Sequence, residues 1–127
     1  MANSNSRIAP AGSVTLADAF RQGLVELAVT VVPGAGDGKS LRVTFRNTVD
    51  AGFTLAISAG PTMLDVGTPV DKLRLHAAKA KMLYLPPLAT SRAVDLAQTG
   101  TRRAVQGAFV VSVHEGTPRL SGDVTMR

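Results

Sequence analysis

Between residues 24 and 58 large apolar side chains return at every second position. Val25, Leu27, Val29 and Val31 alternate with Glu26, Ala28 and Thr30; Leu41, Val43 and Phe45 alternate with Arg42, Thr44 and Arg46; Phe53, Leu55 and Ile57 alternate with Thr54, Ala56 and Ser58. Successive side chains of a strand point to opposite faces, so this rhythm commits the backbone to half-buried antiparallel strands. Residues 72–76, 81–85, 92–97, 108–113 and 120–126 are further strand candidates. About seven or eight short strands at such spacing predict an all-β sandwich or barrel. A Greek key of about seven strands fits a chain of 127 residues, and no segment is long enough for a wide barrel, so an antiparallel Ig-like sandwich is expected.

One short helix is signalled ahead of the strands, over residues 15–23. Thr15 can accept from a free amide of the first turn, Asp18 stands in capping-box position, and Gly23 can supply the left-handed residue that ends the helix. Leu16, Ala19 and Phe20 share a face, which suits a helix that plugs an open end of a sheet structure. Residues 1–13 are polar and small, with Ile8 the single large apolar residue after the initiator, and read as an extended N-terminal arm. Such an arm buries too little to offset a backbone entropy of about 1–2 kcal/mol per residue and needs something to hold it. Residues 14–127 then form one β-sandwich domain.

The supply of core residues sets what fills that domain. Hydrophobic residues make up 45% against 18% charged, the balance of a chain that folds, but aromatics are 4% and Trp is absent. The core is therefore built from Val, Leu, Ile and Ala. With no cysteine, disulfides, thiolate metal sites and thiol nucleophiles are all removed. The N-terminus lacks the apolar run of a secretory signal, and no stretch approaches the roughly 20 apolar residues of a membrane span. No membrane partner is expected, and the simplest address is the cytosol or a larger assembly such as a virion.

Residues 33–40 end in Gly38-Lys39-Ser40, the close of a phosphate-binding loop, but Pro33 stands where that loop needs Gly. Leu41, Val43 and Phe45 then begin a strand instead of the helix whose amides would bind phosphate. His76 shares a face with Lys72 and Arg74, and His114 opens a turn; two dispersed histidines make no metal site. Ser112, His114 and Glu115 are close in sequence, yet no nucleophile elbow surrounds them. No enzyme activity, cofactor or metal is expected.

Charge is the most informative surface property: 14 basic against 9 acidic residues give +5. Arg42 and Arg46 share a strand face, Lys72, Arg74, Lys79 and Lys81 follow one another closely, and Arg102 and Arg103 are adjacent. The six residues Arg42, Arg46, Lys72, Arg74, Lys79 and Lys81 could follow a phosphate backbone, which makes nucleic acid or another polyanion the alternative partner. Against it, Tyr84 is the one aromatic placed to stack on bases. Charges spread along strand edges also serve simply to keep those edges from aggregating.

The order of Gly23-Leu24-Val25, the Gly-rich residues 34–38, the strand ending in Asn47-Thr48, and Phe53 onward to Ala59-Gly60 resembles small bacterial Ig-like sandwich modules. Leu85-Pro86-Pro87-Leu88 with Ala93-Val94-Asp95-Leu96 is similar to the Pro-rich turn and closing strand of such modules. The resemblance covers about half the chain, and its motifs concern turns. It implies the fold and an accessory or interaction role, and it carries no catalytic residue with it. The function expected is a non-enzymatic protein-interaction or structural assembly module, self-associating or, with its arm clasping neighbours, a repeated subunit of a larger shell, fibre or virion.

Overall fold

The alternating segments at 25–31 and 41–46 lie in the middle of a seven-stranded antiparallel sheet, and the one at 53–58 lies in a smaller sheet. A computed structural model describes residues 12–33, 39–99 and 104–126. Along the chain run β1 (Ser13–Thr15), α1 (Leu16–Arg21), β2 (Val25–Val31), β3 (Ser40–Asn47), β4 (Phe53–Ile57) and β5 (Gly60–Gly67). There follow β6 (Asp71–Ala77), β7 (Lys81–Leu85), β8 (Val94–Gln98), β9 (Val105–Gln106), β10 (Ala108–His114), β11 (Thr117–Gly122) and β12 (Thr125–Met126). The large sheet has the order β11-β10-β2-β3-β8-β6-β5, a small sheet the order β1-β4-β7, and β12 pairs with β9.

Register explains why these strands sit together. Phe109, Val29, Val43 and Val94 are aligned across four neighbouring strands, as are Val111, Leu27 and Phe45 across three, so each row delivers its apolar side chains to one face. Phe53, Leu55, Ile57 and Leu85 of the small sheet join the same core cluster. The large sheet curls until its edge strands β11 and β5 touch. A Cβ built at Gly67 of β5 would lie 3.7 Å from Pro118 Cγ of β11. At that seam a cleft of about 430 Å³ opens between Phe20, Met63, Leu64, Val113 and Pro118.

The helix forms as its signals require. Thr15 Oγ1 accepts from Asp18 N at 3.3 Å, and Gly23 ends the turn at φ 76°. The Asp18 carboxylate, however, pairs with Arg21 at 2.6 Å and does not close a capping box. Leu16, Ala19 and Phe20 are buried, and α1 touches β1, β2, β4, β5 and β10, so it plugs the sheets as expected.

The chain is all-β, antiparallel but for the β1–β4 pair, with one short N-terminal helix among the described residues, but its details depart from the expectation of seven or eight strands: the described residues hold twelve. The expected final strand at 120–126 is two, because the chain leaves the large sheet after Gly122 and β12 pairs elsewhere. β5 goes unrecognised in the sequence because Gly60-Pro61 reads as a turn; Pro is tolerated there since β5 is an edge strand. Ser13, the last residue of the expected arm, belongs to β1, which pairs parallel with β4. Residues 1–11 of that arm, the Gly-rich residues 34–38, and Arg102 and Arg103 lie outside the described residues. The curl of the large sheet toward a barrel is a further departure from a flat pair of layers.

Candidate functional site

One strand edge stands out for its chemistry. β7 is hydrogen-bonded to β4 alone among the described residues, so its other edge has no strand beside it. Leu83 and Leu85 turn toward the core, whereas Met82 is 62% and Tyr84 64% exposed on the outer face. Natural edges are usually blunted by charge, Pro or a covering element. Here the two outward residues of the strand interior are large and apolar.

The end of this strand is pinned by one buried side chain. Asn47, fully buried at the end of β3, donates from Nδ2 to the carbonyls of Ala51 (2.8 Å), Leu85 (3.2 Å) and Pro86 (3.0 Å). Its Oδ1 accepts from Val49 N at 2.8 Å. Thr48 extends the clamp, donating from Oγ1 to Gly23 O at 2.6 Å and from its amide to Leu24 O at 3.0 Å. The Asn-Thr pair therefore ties the large sheet, the exit of α1 and the tail of β7 together. Gly52 completes the arrangement, because a Cβ there would fall 2.8 Å from Tyr84 Cζ.

Beside β7 runs an open slot of about 830 Å³ lined by Lys81, Met82, Leu83, Arg92, Ala93, Val94, Asp95 and Arg42. Its three lining cations come from separate parts of the chain: β3, β7 and the approach to β8. Arg42 Nε and Nη2 donate to the two Asp95 carboxylate oxygens at 3.0 and 3.2 Å. This hydrogen bonding holds the Asp95 carboxyl below its usual range; slight desolvation opposes the shift, and the guanidinium charge adds to it. The same pairing raises Arg42. A carboxyl lowered on folding contributes stability that is full above its ordinary range and is lost as pH falls through its folded value. Both side chains are wet, so Asp95→Asn is expected to shift the unfolding midpoint barely at about pH 7 and not at all at about pH 2. Urea titrations at the two pH values check this.

The six basic residues read from the sequence do not form one surface. Arg42 and Lys81 meet in the slot, joined by Arg92, which sequence reasoning missed because it lay in a segment read as strand. Lys72 pairs with Asp65 at 3.3 Å on the outer face of the large sheet, where Arg74 stands opposite Met63. Arg46 is opposite Glu26, and Lys79 lies exposed between β6 and β7.

The reactive groupings find these places. β3 starts at Ser40, so a strand and not a helix follows Lys39; the Lys39 carbonyl accepts from Gln98 N at 2.6 Å. Ser112 Oγ and His114 Nε2 are 2.9 Å apart on the exposed face of β10, with Arg119 opposite Ser112. His76 is exposed on β6, as its face predicts. Among the described residues no three of His, Cys, Asp or Glu converge, and no helix is long and apolar enough to cross a membrane. No family model, curated protein or solved structure matches the chain.

Proposed function

We propose that this chain is a non-enzymatic protein-interaction module whose working surface is the free edge of β7. The observation that carries the reading is the exposure of Met82 and Tyr84 on a strand that, among the described residues, has no neighbour on one side. An edge of this kind accepts a strand from another chain: main-chain hydrogen bonds supply affinity, and the side chains on alternate positions supply selectivity. The fold proposed for it is an Ig-like sandwich, supported by two sheets that share one core and by the Asn47-Thr48 clamp between them. In its narrower form the module is a repeated subunit of a shell, fibre or virion, since a strand edge on one face and a different surface on the next copy give open-ended assembly.

The double substitution Met82→Lys with Tyr84→Lys tests the reading, because both side chains are largely in water and the fold should melt as before. A protein retained by the immobilised full chain, then purified and rebound as a binary complex, is expected to lose at least about tenfold in affinity for the variant. Equal retention by both would sink the β7 edge as the surface. Light scattering decides the narrower form: a monodisperse monomer at high concentration removes assembly and leaves the module.

A further inference from the structure

We propose that the slot between β7 and the first half of β8 binds an acidic segment of another protein in extended form, which joins the small sheet as its fourth strand; this rests on the interaction reading above.

The shape of the slot points to a strand. Lys81, Met82 and Leu83 are consecutive, and so are Arg92 to Asp95 on the other wall. Because neighbouring side chains of a strand point to opposite faces, a wall made of consecutive residues is the edge of the strand and not one of its faces. Both edges are open. Among the described residues β7 has β4 on one side and no strand on the other. β8 pairs with β6 only at Ala97 and Gln98, so among the described residues Val94, Asp95 and Leu96 have β3 on one side and no strand partner on the other. The slot of about 830 Å³ runs along Lys81 to Leu83 on one wall and Arg92 to Asp95 on the other, so it takes a short extended segment.

Charge selects the occupant. Arg42 is engaged by Asp95, whereas Lys81 and Arg92 make no ion pair among the described residues. An arriving carboxylate gains two unpaired cations, and a second positively charged copy of this chain would bring more of the same sign. A nucleic acid strand would meet the Asp95 carboxylate in the wall and would find no aromatic side chain in the lining to stack on. The extended acidic peptide satisfies the strand edges, the exposed Met82 and Tyr84, and the charge together.

The test is an NMR titration of the isotope-labelled full chain with a peptide of about nine residues that alternates valine and glutamate, its valine-lysine counterpart, and a single-stranded DNA oligonucleotide. The expected result is amide shifts and slowed hydrogen exchange confined to residues 81–85 and 94–96 on adding the glutamate peptide, with binding about tenfold or more tighter than for the lysine peptide. Lys81→Glu combined with Arg92→Glu is expected to reverse that preference, and Asp95→Asn, which releases Arg42, to tighten the glutamate peptide a few-fold, about twofold to fivefold. Unchanged melting curves show that both variants are folded. Tighter binding of the oligonucleotide at these residues would overturn the proposal in favour of a polyanion site. No peptide binding at millimolar concentration would also overturn it. If protection of residues 81–85 then grows with protein concentration alone, the edge takes a second copy; if it does not, the interaction reading is decided by the retention test with the Met82 and Tyr84 double variant.

Discussion

Replacing Asn47 by Ala is expected to destabilise the protein by about 3–5 kcal/mol and to lower its melting temperature by roughly 10–20 °C. The change takes the side-chain partner from the buried Leu85 carbonyl and the buried Val49 amide, and from the part-buried Ala51 and Pro86 carbonyls, of which Pro86 keeps the Ala89 amide at 3.2 Å. A buried polar group deprived of its partner costs about 1–3 kcal/mol, so even partial relaxation leaves a large loss. Asn47→Asp keeps the shape but points a carboxylate oxygen at three carbonyls. Burial and those carbonyls raise the pKa of the introduced carboxyl above its unfolded value, so the folded state holds the proton more tightly. Its stability is then greatest at low pH and falls as pH rises through the folded value, the opposite slope from that set by Asp95. Thermal melts of the three proteins between about pH 4 and pH 8 check both the size and the sign. If Asn47→Ala melts within a few degrees of the unmutated chain, the clamp does not hold β7 in place.

Gly107→Ala is the second substitution expected to be severe, at about 3 kcal/mol or more. Gly107 has φ 85°, and a Cβ there would collide with the Asp123 backbone carbonyl. The left-handed backbone alone costs an L-residue about 1–2 kcal/mol. The rest comes from pushing apart β10 and the chain that leads to β12, which Asp123 N ties to Ala108 O at 2.9 Å. Gly116 separates the two contributions. Its φ is 78°, but a Cβ would meet nothing within 4 Å, so Gly116→Ala should show the backbone strain only, about 1–2 kcal/mol. Denaturant unfolding of the pair gives the difference directly, and equal losses would mean that the collision relaxes without cost.

Strand β7 was legible residue for residue, and β2, β3, β4, β6 and β10 nearly so, because a strand with one face in the core writes its period into the sequence. Leu27, Phe45, Leu55, Leu73 and Val111 all turn inward as their alternation requires. The helix was legible for a different reason: Thr15 and Gly23 act through local backbone bonds that need no tertiary context. What was not legible depends on pairing at a distance. Nothing within residues 92–97 says that β6 will meet β8 only at its end, so the slot is invisible in sequence. Arg92 shares no periodic face with Arg42 or Lys81, and only the fold brings the three together. The converse error came from Lys72, Arg74 and Lys81, whose closeness in sequence suggested one basic surface. The chain crosses from the large sheet to the small one between β6 and β7, which parts them.

The crossing also sets the order of events when the chain folds. β3 has β8 as its neighbour on one side, and Arg42 and Asp95, paired across that boundary, are 53 residues apart. Four strands, β4 to β7, must be laid down before β8 can arrive. Pairings that close such long loops are slow, so refolding belongs on the millisecond-to-second scale of β-rich domains. Until β8 arrives, one edge of β3 stays open beside the apolar face of Leu41, Val43 and Phe45, and the chain is most prone to pair with its neighbours. Refolding yield should therefore fall with protein concentration before native stability changes, and on a ribosome β3 must wait for the synthesis of about fifty further residues before its partner exists.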